Sequence, residues 1–160
     1  MTEDRVDPSW LLLDNQICFA LHAASRAFNA LYRDALQELG LTYPQYLVML
    51  VLWEHQELGV KQIGEQLRLD SGTLSPLLKR LEAAGLVVRE RSAQDERSVI
   101  VRPTAAGTAL REQAARLPAR ISAATGLDLG EITDLRERIT RLTATLDATA
   151  LPTVSPADCG

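Results

Sequence analysis

From Asp14 to about Gly40, the apolar residues Ile17, Leu21, Ala24, Phe28, Leu31, Ala35 and Leu39 recur at alternating steps of four and three, the spacing of one stripe along a helix. Gly40 is placed to end that helix. Thr42 can cap a second one, with Gln45 as the reciprocal capping-box partner and Pro44 in the first turn, running to about His55. Val60 to Leu69 predicts a short third helix with Ile63 and Leu67 inward, followed by the turn chemistry of Asp70-Ser71-Gly72. A fourth helix carries Leu74, Leu77, Leu78 and Leu81 to a stop at Gly85. Pro76 belongs in or near its first turn, which sets the start between Ser71 and Thr73.

After Gly85 the period shortens to about two, in Leu86 to Arg91 and again in Ser98 to Arg102, with the polar tip Ser92-Ala93-Gln94-Asp95-Glu96-Arg97 between them. This predicts a β-hairpin with a long loop. Thr104 then caps a fifth helix, bent or broken at Pro118 and fading near Gly126. Asp128 with Glu131 opens a sixth, where Ile132, Leu135, Ile139, Leu142 and Leu146 recur at steps of three and four. The elements divide the chain into helical parts at 10–40 and 105–149, a compact middle at 41–104, and a tail at 150–160 whose composition predicts disorder. The expected fold class is mainly α with a small β-hairpin.

Charge narrows the function. Seventeen Lys and Arg against twenty-one Asp and Glu give a net charge of −4, so a uniformly cationic nucleic-acid binder is excluded. Yet Val60 to Thr104 holds eight basic and six acidic residues, a net of +2, while the remaining nine basic and fifteen acidic residues give −6. Positive charge concentrated on one segment suits phosphate binding. The longest apolar run, Tyr46 to Trp53, is far too short to span a membrane, and the acidic N-terminus is no signal peptide, so a cytoplasmic chain is expected. Cys18 and Cys159 have neither CxxC nor Cys/His ligand spacing, so neither a disulfide framework nor a zinc site is expected, and no other cofactor.

Three short helices, a glycine-bearing turn before the last of them and a charged hairpin after it make the order of a winged helix-turn-helix. Ser71, Thr73 and Ser75 begin the fourth helix with short hydroxyls that reach phosphates or base edges, with Lys79 and Arg80 further along; helix capping must claim at least one of the hydroxyls. The run Leu69-Asp70-Ser71-Gly72-Thr73-Leu74-Ser75-Pro76-Leu77-Leu78-Lys79-Arg80-Leu81-Glu82, then Gly85-Leu86-Val87 and Asp95-Glu96-Arg97-Ser98-Val99, resembles the recognition helix and wing of the MarR family of transcriptional regulators. The resemblance covers about Leu11 to Leu146. It implies a homodimer, with the first and last two helices of each subunit forming an interlocked dimer domain and two winged domains reading a palindromic DNA operator. It also makes Arg97 the wing-tip arginine that enters the minor groove, and Asp95 the acid that orients the wing.

Helical spacing from Cys18 picks out His22, Ser25, Asn29 and Tyr32, a more polar stripe beside the apolar one. A thiol near a helix start gains thiolate character from the helix dipole, which suits a peroxide sensor; a small residue in a dimer-forming helix is the plainer reading. Leu13-Asp14-Asn15-Gln16-Ile17-Cys18-Phe19, with Leu41-Thr42-Tyr43-Pro44-Gln45-Tyr46-Leu47 and Trp53-Glu54-His55, resembles one branch of the family, the organic hydroperoxide resistance repressors. That resemblance makes Cys18 the peroxidatic cysteine, its sulfur held by Tyr32 and Tyr43 of the partner subunit. His22 departs from the branch, where many members carry Tyr, and no second cysteine stands late in the folded core. The expectation is a one-cysteine sensor: organic hydroperoxide takes Cys18 to a sulfenic acid, then a small thiol makes a mixed disulfide or overoxidation follows, with Cys159 in the tail as a possible resolving thiol. A repressor responding to a small phenolic ligand, and a thiol peroxidase or Cys18/His22 acyl-transfer enzyme, stand as alternatives. No oxyanion-hole motif accompanies the last.

Overall fold

A computed structural model describes residues 7–149, which divide into two compact units between Leu117 and Pro118. Cys159 and the tail expected at 150–160 lie outside the described residues. In the first unit the 3-10 turns Pro8–Leu11 and Leu13–Asn15 lead into α1 (Ile17–Ala35), a further 3-10 turn at Gln37–Leu39 and α2 (Tyr43–His55). The strand β1 (Leu58–Gly59), α3 (Val60–Leu67), α4 (Ser71–Ala83), β2 (Val87–Arg91), β3 (Val99–Pro103) and α5 (Ala105–Ala114) follow. The stripe read as one helix from Asp14 to Gly40 is thus shorter, because a change to 3-10 winding at Gln37 breaks it before the glycine.

The sheet is three-stranded and antiparallel in the order β1-β3-β2, where the sequence predicts only a hairpin. Leu58 and Gly59 pair with Val101 and Ile100 through a segment too short to show any period. Beneath the sheet, Val48, Met49, Leu52, Ile63, Leu74, Leu78, Leu81, Val87 and Val101 are almost wholly buried and fasten α2, α3 and α4 to the wing. This is the winged helix-turn-helix.

Local chemistry sets the element ends. Thr42 and Gln45 form the expected capping box of α2, and Asp128 and Glu131 that of the last described helix, Leu129–Ala148. The N-cap of α4 is Asp70 rather than a serine or threonine: its carboxylate accepts from the Thr73 amide at 2.8 Å and satisfies the orphan donor. α4 starts at Ser71, within the expected range, so Pro76 is its sixth residue and leaves the exposed Gly72 carbonyl without an i+4 amide. Gly107 brings α5 onto the turn after α4; a Cβ there would stand 2.0 Å from the Leu86 carbonyl oxygen. Trp53 locks the same junction, its Nε1 donating to the Gly107 carbonyl at 2.8 Å.

The second unit holds the rest of α6 (Leu117–Thr125) and α7 (Leu129–Ala148), so the predicted fifth helix is broken just before Pro118. Leu129, Leu135, Ile139 and Leu146 of α7 are exposed. In the first unit Trp10, Leu11, Leu12, Leu13, Ile17, Phe19 and Phe28 are exposed as well, with Leu11 at 86%. No helix among the described residues is long and apolar enough to cross a membrane.

Candidate nucleic-acid interface and redox site

The inward positions of α4, Leu74, Leu77, Leu78 and Leu81, turn the opposite side of the helix outward, so Ser71, Thr73, Ser75, Lys79 and Arg80 are all exposed. Their roles then separate. Thr73 is drawn into the cap, its hydroxyl donating to Asp70 Oδ2 at 3.1 Å. Ser71 and Ser75, one turn apart, face a groove of about 1030 Å³ between α3, α4 and the wing, to which Asp95 and Arg97 also contribute; Lys79 and Arg80 lie outside it. Sequence reasoning missed Lys61 and Arg68, which line the same groove and entered only the charge count.

The wing tip is organised by Asp95. Its carboxylate accepts from the Arg97 amide at 3.0 Å and from the Ser98 hydroxyl at 2.8 Å, and these bonds hold its pKa below the usual carboxylate value. Arg97 thus leaves the turn with its side chain exposed. Two other wing arginines have structural work: Arg89 grips Glu82 at the end of α4 at 2.6 Å and 3.0 Å, tying β2 to the recognition helix, and Arg102 reaches Glu57 and Glu90, each at 3.3 Å.

Cys18 is the second residue of α1 and is exposed, amid exposed apolar side chains of the N-terminal turns. Tyr32 and Tyr43 meet near the other end of that helix with ring centroids 4.5 Å apart. Tyr46, absent from the expected site, extends the cluster at 5.9 Å from Tyr32 and reaches Trp53 at 6.3 Å; in the sequence it was only part of an apolar run. Burial pushes all three phenol pKa values up, helped at Tyr32 by Tyr43 and Tyr46, so the hydroxyls remain proton donors through neutral pH. Cys18 and Tyr32 are fourteen residues apart on one helix, about 21 Å at ~1.5 Å per residue, so the thiol and the tyrosines of a single chain do not meet. His22 is exposed on the same helix.

A family profile described as transcriptional regulator SarA/Rot matches residues 30–113. The organic hydroperoxide resistance transcriptional regulator of Bacillus subtilis (strain 168) is 50% identical over 123 residues, covering 75% of this chain and 84% of that one. The chain belongs to the MarR family of transcriptional regulators, in its organic hydroperoxide resistance branch. The regulator TtmR of Methylorubrum extorquens (strain PA1) is 48% identical over 145 residues, covering 91% of this chain and 74% of that one. Reduced AbfR bound to DNA, a Staphylococcus epidermidis protein, superposes with a TM-score of 0.70 at 36% identity over 84% of this chain and 94% of that one; AbfR is also known overoxidised on DNA. This MarR chain is therefore a DNA-binding transcriptional regulator, and the thiol-enzyme alternative falls.

Proposed function

We propose that two copies of this chain form a redox-sensing repressor that holds a palindromic operator while Cys18 is a thiol and releases it after an organic hydroperoxide oxidises Cys18. Residues 10–40 and 105–149 of both subunits build the dimer domain. The winged domains at 41–104 place two α4 helices in successive major grooves, about 34 Å apart, with Ser71, Thr73, Ser75, Lys79 and Arg80 toward the DNA, Asp95 ordering the wing and Arg97 in the minor groove. The observation that supports the redox reading most is that one chain carries two halves of a site about 21 Å apart: a thiol amid exposed apolar residues and a pair of half-buried tyrosines. A two-fold dimer can bring each Cys18 to Tyr32 and Tyr43 of the partner subunit.

In the reaction, the Cys18 thiolate attacks the terminal hydroxyl oxygen of ROOH and the O–O bond breaks. RO⁻ leaves and takes up the proton equivalent to the one that the thiol released, giving ROH, and sulfur becomes the sulfenic acid. A small thiol R′SH then forms Cys18–S–S–R′ and water. Overoxidised AbfR is known on DNA, so in this chain release is assigned to the bulkier mixed disulfide rather than to an overoxidised acid. The test is retardation of operator DNA by reduced protein, before and after stoichiometric cumene hydroperoxide, with and without glutathione. Release that requires both supports this reading. A complex untouched by both sinks it.

A further inference from the structure

Among the described residues, Pro76 is the proline that stands inside a helix beyond its first turn, sixth of the 13 residues of α4. Proline has no backbone N–H, and its ring crowds the carbonyl four residues earlier. That carbonyl belongs to Gly72. Gly72, Pro76, Lys79 and Ala83 follow one another at steps of four, three and four, all exposed, on the side of α4 opposite Leu74, Leu77, Leu78 and Leu81. They form the outward crest of the helix, beside Ser71 and Ser75.

Glycine and proline are the two poorest helix formers, and here they share one crest a single turn apart. The fold asks for neither. Gly72 takes no left-handed φ, and a Cβ on it would meet one atom within 4 Å, Asp70 Oδ1 at 3.1 Å. Pro76 is exposed, so no burial of its ring accounts for it. What the pair does together is present a backbone oxygen that has neither its i+4 amide nor a side chain of its own residue to cover it. A local rule broken in this way marks a place where function sets the residue.

We propose that the Gly72 carbonyl reads the operator, accepting a hydrogen bond in the major groove from the exocyclic amine of an adenine or a cytosine. The proposal rests on the DNA-binding reading above and deepens it, adding a backbone acceptor to the side chains of α4. In the major groove adenine offers its N6 amine and cytosine its N4 amine, whereas guanine and thymine present carbonyl oxygens, so an acceptor there favours the first two bases and disfavours the others. The missing side chain at Gly72 lets the backbone approach a base edge closely. The missing amide at Pro76 keeps the oxygen from being taken inside the helix. Because no phosphate is neutralised, the contact contributes sequence preference without salt dependence.

The experiment compares the reduced full-length protein with Pro76→Ala, which returns an amide to the Gly72 carbonyl, on the duplex that the wild type selects from a random pool and on an unrelated duplex, by fluorescence anisotropy across a salt series. Pro76→Ala should keep or raise the thermal midpoint, lose about fivefold in affinity per half-site on the selected duplex, and match the wild type on the unrelated duplex and in salt slope. Each adenine of the selected duplex is then replaced in turn by deoxynebularine, which lacks the N6 amine, and each cytosine by deoxyzebularine, which lacks the N4 amine. One replacement per half-site should weaken the wild type and leave Pro76→Ala unmoved, and the base at which this happens identifies the amine. Should Pro76→Ala prove unstable, Pro76→Ser, which also restores an amide, carries the same expectation. Unchanged affinity of Pro76→Ala for the selected duplex, an equal loss on both duplexes, or the lack of any amine whose removal separates the two proteins would overturn the proposal, and a weakened Arg97→Ala beside it would leave the DNA-binding reading standing. Failure of the wild type to select any duplex would remove that reading itself, and this proposal with it.

Discussion

Replacing Trp53 by Phe probes the link between the helix that carries Tyr43 and the helix that leaves the wing. Trp53 is 6% exposed, its Nε1 donates to the Gly107 carbonyl at 2.8 Å, and its ring meets Tyr46 edge-on. Phenylalanine keeps an aromatic contact but removes the donor; the Gly107 carbonyl keeps its place in the α5 ladder, so the loss is one hydrogen bond, about 0.5–1.5 kcal/mol. The smaller ring gives up ~1 kcal/mol of apolar burial at ~25 cal/mol per Å². Together these amount to roughly 1.5–2.5 kcal/mol. For a chain of this size each kcal/mol shifts the midpoint by roughly 2–4 °C, so Tm should fall by roughly 3–10 °C, measured at fixed concentration because a dimer's Tm depends on it. A fall of under about 2 °C would refute the reasoning, because the α2–α5 junction would then not depend on this bond and ring.

Arg97→Ala should weaken operator binding by more than a solvated surface charge would, and unchanged affinity by anisotropy would remove the wing from the interface. Tyr32→Phe and Tyr43→Phe should each slow Cys18 oxidation in stopped-flow peroxide consumption while sparing reduced-state DNA binding; equal losses in both would indicate damage to the dimer. Asp95 has a carboxyl lowered in the folded chain, so its contribution is present above the ordinary value of 3.8 and is lost as pH falls through the lowered one. The Arg97 and Ser98 amide resonances should accordingly stay fixed from about pH 8 to pH 5 and move only in acid, and a transition near neutrality would contradict the wing geometry.

The helices were legible because each carries both a period and an end signal: Thr42 with Gln45 and Asp128 with Glu131 cap where the pattern says they should. What stayed hidden has physical causes. β1 has two residues and forms only by pairing with β3, a contact distant in sequence. The break at Gln37 and the left-handed backbone at Arg68 leave no compositional mark, since neither uses proline or glycine. At the candidate site, residue types pointed to Cys18, Tyr32 and Tyr43, but nothing in the spacing could place the two tyrosine rings 4.5 Å apart or add Tyr46 to them. Charge counting found the basic segment without separating Arg89 and Arg102, which Glu82, Glu57 and Glu90 hold within the fold, from Arg97, whose side chain leaves the wing tip exposed.

The central claim is that oxidation of Cys18 releases DNA. The direct measurement places Cys18→Ser beside wild type, with operator occupancy followed during addition of cumene hydroperoxide and glutathione and the Cys18 peptide weighed by mass spectrometry. Both proteins should bind equally when reduced. Wild type should dissociate as its Cys18 peptide gains one glutathione, Cys18→Ser should stay bound, and Cys159→Ser should behave as wild type. Dissociation of Cys18→Ser under the same conditions, or a wild-type complex that persists with Cys18 fully glutathionylated, would contradict the account.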